Sequence, residues 1–162
     1  MPLPDEVLQK LAQVGREPIN LHRALAHAPA MLGPLLDLIH AVRYEAAVSR
    51  THRELLICRV AHLEGSEYEL AHHLPMARDA GVPPRKLESL ADWRSADCFD
   101  GAERAVLAYA DHLAAGTERD DRQLAEHFGP SEQTEFTVAG STYLAVSRIL
   151  RALEVEIDEQ LH

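Results

Sequence analysis

Two adjacent histidines, His72 and His73, sit with Glu67, Glu69 and Pro75 in the stretch GSEYELAHHLPMARDAG (65–81), which is otherwise patterned as a helix. An imidazole titrates near neutral pH, so a histidine oriented by a carboxylate can move protons as a general acid or base. Glu69 and His73 are four residues apart and share one helical stripe with Ser66, Ala77 and Ala80. His72 is turned about 100° away, toward Tyr68 and Met76. Pro75 cannot donate to the carbonyl of Ala71, so the helix must kink or loosen there. Such a distortion suits a site, but it is also a common packing solution.

A second acid comes from the preceding helix. Glu54 shares its stripe with Ile57, Cys58 and Ala61, where a carboxylate needs a partner or is driven toward its neutral form. Two readings stay open at this point. Glu54 is either the reciprocal half of a capping box with Thr51, or an acid that meets the histidines. Glu69-Leu70-Ala71-His72 also has the Glu-x-x-His spacing of di-iron bundles. Those sites need the motif twice plus two more glutamates, and the nearest second copy, Asp37-Leu38-Ile39-His40, carries Asp. The expectation is no metal and no cofactor, with a Glu/His metal site on Glu54, Glu69, His72 or His73 as an alternative.

The elements that must position these residues are all helical. A short amphipathic segment runs from Pro4 to about Gly15, followed by 20–27 and by 29–48, with Leu32, Leu35, Leu36, Ile39 and Val42 at helical spacing. Thr51-His52-Arg53-Glu54 has the form of a capping box ahead of LLICRVAHLEG, which is apolar almost all round and reads as a buried helix. Only Arg53 and Arg59 look solvated on it. Ser66-Glu67-Tyr68-Glu69 caps the helix of the histidines, which stops at Gly81. A short helix follows Pro84, then a loop over 92–100 anchored by Trp93 and Phe99. Asp100-Gly101-Ala102-Glu103 caps ERAVLAYADHLAAG, Asp120 to Phe128 forms a short helix, and a long one runs from Pro130 to about Ile157. No segment alternates as a strand would. The pattern predicts an all-α single domain of about seven or eight helices.

The 162 residues suffice for one domain with a real core. Sixteen Lys+Arg against 26 Asp+Glu leave a formal charge of -10, which argues against nucleic acid and anionic membrane as partners. No stretch approaches the roughly 20 apolar residues of a membrane span, and the N-terminus has no signal-peptide pattern. Cys58 and Cys98 are far apart and in no metal or redox spacing, so a cytoplasmic location is expected.

RELLICRVAHLEGSEYELAHHLPMARDAG resembles the core of the carboxymuconolactone decarboxylase family, which includes the alkylhydroperoxidase D-like (AhpD-like) proteins. ERAVLAYADHL and FTVAGSTYLAVSRILRALEVEID continue the likeness. The resemblance implies an AhpD-like helical bundle over residues 30–157, an N-terminal helical extension over 1–29 and a tail over 158–162. The peroxidase branch carries Glu, eleven residues, Cys-x-x-Cys, three residues and His. On this chain the Glu falls on Glu54 and the His on His73, while the cysteine positions hold Ser66 and Glu69. The resemblance thus implies that Glu54 and His73 come together across a helix pair, without the thiols. Leu70, where Trp is common, and Leu144, where Asn is common, depart from it in ways that could reshape the pocket.

Serine cannot replace a peroxidatic sulfur, so thiol peroxidase turnover is not expected. The decarboxylase branch needs no redox cysteine. On that model His73 is the general acid or base and Glu54 orients it. Ser66, Glu69 and His72 line a substrate site, Tyr68 or Tyr143 donates to an enolate oxygen, and Arg53, Arg59 or Arg148 holds a carboxylate. Glu69 would add negative charge and disfavour a dianion. The expected function is a cofactorless acid-base enzyme, of decarboxylase or proton-transfer type, on a small unsaturated or cyclic carbonyl compound. A ligand-binding or assembly protein that kept the fold and lost the chemistry is the alternative. The family also implies a homo-oligomer, a trimer or hexamer.

Overall fold

The computed structural model describes residues 2–13, 15, 17–117 and 122–159. Among them are nine α-helices and no strand: α1 (Asp5–Gln13), α2 (Asn20–Leu25), α3 (Pro29–His40), α4 (Arg50–Leu63), α5 (Glu67–Asp79), α6 (Pro84–Glu88), α7 (Gly101–Ala115), α8 (Arg122–His127) and α9 (Pro130–Ala152). The chain is one all-helical domain. Among its described residues no helix is long and apolar enough to cross a membrane.

Helix α4 is the axis of the fold, and it packs against α5, α7 and α9. Its residues from Arg53 to Ala61 are all buried, as expected of a segment with apolar residues on nearly every side. Leu55, Leu56 and Ile57 are fully buried, each worth roughly 1.5–3 kcal/mol against exposure. Leu56, Ile57 and Val60 face Val106, Phe136 and Tyr143 on one side, while Leu55 and Cys58 face Ala77, Trp93 and Phe99 on the other. Trp93 and Phe99 do anchor the 92–100 loop.

The caps decide where helices start. Asp100 accepts from the Glu103 amide and Glu103 returns a bond to the Asp100 amide, the full reciprocal box. At α4 the cap is Ser49, whose hydroxyl accepts from the His52 amide, and not Thr51, whose hydroxyl instead bonds the Ala80 carbonyl. Glu54 is therefore released from any capping role. Gly65 and Gly81, at φ 62° and 95°, end α4 and α5 in the left-handed region where a side chain would be strained. Helix α5 runs continuously through Pro75.

Three boundaries differ from expectation. The segment 29–48 divides, with α3 giving way at Ala41 to a five-residue π-helical turn, Ala41–Glu45, closed by the Ala46 amide on the Ala41 carbonyl. Helix α9 stops at Ala152 rather than near Ile157, because Glu154 takes φ 50° and breaks the ladder. The expected helix start at Asp120 lies outside the described residues, and so do residues 160–162 of the expected tail.

Arg53 and Arg59 are not solvated. Arg59 donates to Asp111 at 2.6 Å and to the Leu90 carbonyl at 2.7 Å, tying α4 to α7 and to the turn after α6. Arg53 is only 5% exposed.

Candidate active site

The capped start of α5 and the buried face of α4 bring the acid and the imidazole together. Ser66 accepts from the Glu69 amide, which starts α5 and sets the rotation of Glu69 and His73 toward α4. His73 Nδ1 lies 2.8 Å from Glu54 Oε2, and both side chains are almost fully buried. On the other side of the ring, Nε2 lies 3.4 Å from Glu69 Oε2, an oxygen that makes no properly aligned hydrogen bond. The imidazole is thus sandwiched between two acids, with the Tyr143 ring packed on it in a T-shaped contact, 4.8 Å between ring centroids.

The two acids are in different electrostatic states. Burial pushes the Glu54 carboxyl up, but the hydrogen bond to His73 and the positive charges of His73, Arg43 and Arg53 outweigh it and hold Glu54 below the usual carboxylate range. Burial pushes Glu69 above that range. His73 and Arg43 offset this only in part, and the Glu54 charge adds to it. An ionised Glu54 can only accept, so His73 Nδ1 carries the proton of that bond. Nε2 is left facing an acid that favours its neutral form. Glu69 therefore does not add the full negative charge expected of it.

This arrangement borders a cavity of about 270 Å³, lined by Glu69, His73, His72, Tyr68 and Tyr143 together with apolar side chains of α1, α3 and α9. Five of the candidate residues thus share one wall, with Glu54 directly behind it. Ser66 and Arg148 are not among the lining residues. Ser66 is occupied as the cap, and Arg148 points to the surface in a two-pronged pair with Glu64 at 2.9 and 3.2 Å. Arg53, Arg59, Leu70 and Leu144 do not line the cavity either. Tyr68 cannot serve an enolate as freely as expected, because its hydroxyl donates to Asp158 at 2.7 Å and accepts from the Leu21 amide.

Several wall residues gave no signal in the sequence. Arg43 comes from the π-helical turn, His22 and Leu21 from α2, and Lys10 from α1, where it is clamped on Asp37 at 2.7 Å. Asp158 stands behind His72, whose Nε2 is 3.0 Å away. Lys10, Leu21, His22 and Asp158 lie far from the 54–73 stretch in sequence, so only the fold joins them to it. Cys58 is fully buried, and burial, reinforced by the nearby Glu54 charge, pushes its thiol pKa up, which leaves it inert. Among the described residues no group of three or more His, Cys, Asp or Glu side chains is arranged to hold a metal ion.

The model of the carboxymuconolactone decarboxylase family matches residues 29–112, slightly more than half of the chain. The uncharacterized protein YdfG of Bacillus subtilis (strain 168) is 28% identical over 86 residues, 53% of this chain and 58% of that relative. The chain thus spans less than two thirds of that relative's length. An uncharacterized peroxidase-related protein with an alkylhydroperoxidase AhpD core, from Ralstonia eutropha JMP134, superposes with a TM-score of 0.84 at 17% identity, over 98% of this chain and 88% of that one. A cysteine-to-alanine form of the debrominase Bmp8, in complex with 2,3,4-tribromopyrrole, superposes with a TM-score of 0.80 at 17% identity, over 99% and 91% of the two chains. At these identities the structures share the fold with this chain.

Proposed function

Because the chain belongs to the carboxymuconolactone decarboxylase family, we propose that it is a cofactorless acid-base enzyme, of decarboxylase or proton-transfer type, acting on a small unsaturated or cyclic carbonyl compound. The observation that carries this reading is the Glu54–His73 contact at 2.8 Å beside a cavity. Glu54 keeps the Nδ1 proton in place and stabilises the imidazolium that forms when Nε2 takes a proton. Glu69, whose pKa is raised by burial, lies beside Nε2 on the cavity wall and supplies a proton to a substrate oxygen. The T-shaped contact with Tyr143 restrains the ring.

In the decarboxylase form of the reaction the bond to the carboxylate carbon breaks and CO2 leaves. Its electron pair passes into the conjugated carbonyl as a dienolate, and one proton is delivered to carbon. In the proton-transfer form the same groups remove a proton beside the carbonyl and return it elsewhere. Neither form needs an external oxidant. A cavity near the lower end of the usual ~300–1,000 Å³ favours a small, flat ligand. A ring ligand of that kind is seen in the Bmp8 complex.

The test is deuterium uptake. A set of unsaturated five-membered lactones and cyclic enones is incubated with the protein in D2O, and exchange beside the carbonyl is followed by NMR. Catalysed exchange that disappears in His73→Ala, with the helical circular dichroism retained, is the expected result. Exchange that persists in a folded His73→Ala protein refutes the role of His73. A set that binds but never exchanges favours the ligand-binding alternative.

A further inference from the structure

We propose that Arg43 is the specificity-determining anchor of this cavity: its guanidinium grips the carboxylate of a monoanionic substrate and holds it as a handle that the reaction leaves in place. The inference rests on the reading of the cavity as a substrate site and names the substrate's charge and grip point.

Among the described residues the cavity wall carries two Lys or Arg side chains, Lys10 and Arg43. Lys10 is already matched, with both oxygens of Asp37 at 2.7 and 2.9 Å. Arg43 is half-buried, and its partners are a thioether and a ring: Nη2 approaches Met76 Sδ at 2.9 Å, and the guanidinium carbon lies 5.4 Å from the centre of the Tyr44 ring. No ion-pair partner for Arg43 is found among the described residues. A guanidinium has five donors in a planar fork that fits a carboxylate through two parallel bonds, and a thioether is a weak acceptor. The fork is thus under-used where water is partly displaced, on the wall that also presents His73 and Glu69.

The backbone supports the placement. Arg43 lies in the π-helical turn that follows α3, a geometry found mostly as single turns and frequently at functional sites. The anion would meet few opposing charges: Asp37 also lines the cavity but is matched by Lys10, Glu54 stands behind His73 and is not a lining residue, and burial raises the Glu69 pKa. With Lys10 and Asp37 matched to each other, Arg43 is the one cation of the described wall without a carboxylate, which suits one negative charge and disfavours two.

The consequence for the chemistry is a choice between the two forms of the reaction. A carboxylate held by a two-pronged charged bond is stabilised in the ground state, which opposes its loss as CO2. Proton transfer elsewhere in the substrate is favoured, with the carboxylate as the handle.

The experiment uses three probes built on one ring: benzoate, its uncharged isostere benzamide, and the dianion phthalate. Their dissociation constants are measured by NMR titration on the wild-type protein, Arg43→Gln and Arg43→Lys, all with unchanged circular dichroism. Wild type is expected to bind benzoate at least about tenfold more tightly than benzamide and than the phthalate dianion. Arg43→Gln is expected to lose that preference. Arg43→Lys is expected to retain part of it, since lysine supplies the charge without the fork. Equal affinity for benzoate and benzamide, no binding of benzoate, or an unchanged preference in Arg43→Gln overturns the proposal. Deuterium exchange that depends on His73 would survive that failure, so the two readings fall separately.

Discussion

His72 Nε2 lies 3.0 Å from Asp158 Oδ2, so the neighbour of the catalytic candidate His73 has a carboxylate of its own, delivered from 86 residues further along the chain. The same Asp158 accepts from the Tyr68 hydroxyl at 2.7 Å and from the Asn20 amide at 2.7 Å. One buried acid therefore pins the segment after α9 to α2 and α5 and orders two side chains of the cavity wall.

Asp158→Asn should lower stability by on the order of 3 kcal/mol, because it weakens several bonds to a buried charge at once. Urea unfolding at neutral pH measures this. A loss below about 0.5 kcal/mol would show that the tail is dispensable.

Acidification should act through the same groups. Burial works against the ionised form of Asp158, but bonds from Tyr68, the Asn20 amide and His72 win and lower its pKa. Glu54 is lowered in the folded state as well. A carboxyl with a lowered folded pKa contributes stability that is present above its unfolded value and is lost as pH falls through the folded one. Urea midpoints should fall as pH drops below about 4, and the fall should be shallower in Asp158→Asn. Parallel acid limbs in the two proteins would contradict the assignment.

Glu69 should behave in the opposite sense. Its pKa is raised by burial, so its contribution is present at low pH and is lost as pH rises through the folded value. Glu69→Gln, an amide in place of an acid whose ionised form burial opposes, should cost less than about 1 kcal/mol at neutral pH. Glu54→Gln, which removes an ionised partner, should cost about 3–5 kcal/mol. Similar losses for the two variants would contradict the division of roles.

Thiol reactivity separates the cysteines. Cys98 is partly exposed and Cys58 is not, so a thiol reagent should modify one cysteine in the folded protein and both in denaturant. Fast labelling of Cys58 would mean that the α4 core opens.

Much of this was legible in the sequence where signals are local. The Asp100–Glu103 box, the glycine stops at Gly65 and Gly81, and the pairing of Glu54 with His73 are short-range patterns or a family spacing. The residues that escaped depend on distant partners. Arg59 reads as solvated because Asp111 lies 52 residues away. Thr51 matches a capping pattern that Ser49 takes over two residues earlier. A π-helical turn has no composition of its own, so Arg43 was invisible as a wall residue. Asp158 reads as part of a polar tail until the fold brings it under Tyr68.

Glu54 fixes the proton of His73 on Nδ1, so that Nε2 faces Glu69 and the cavity. The most direct measurement is a long-range nitrogen–proton NMR spectrum of the His73 ring at neutral pH, in the wild type and in Glu54→Gln. A protonated Nδ1 in the wild type, shifted or exchange-broadened in Glu54→Gln, is the predicted result. An unprotonated Nδ1, or a ring signal that ignores the loss of Glu54, would contradict it.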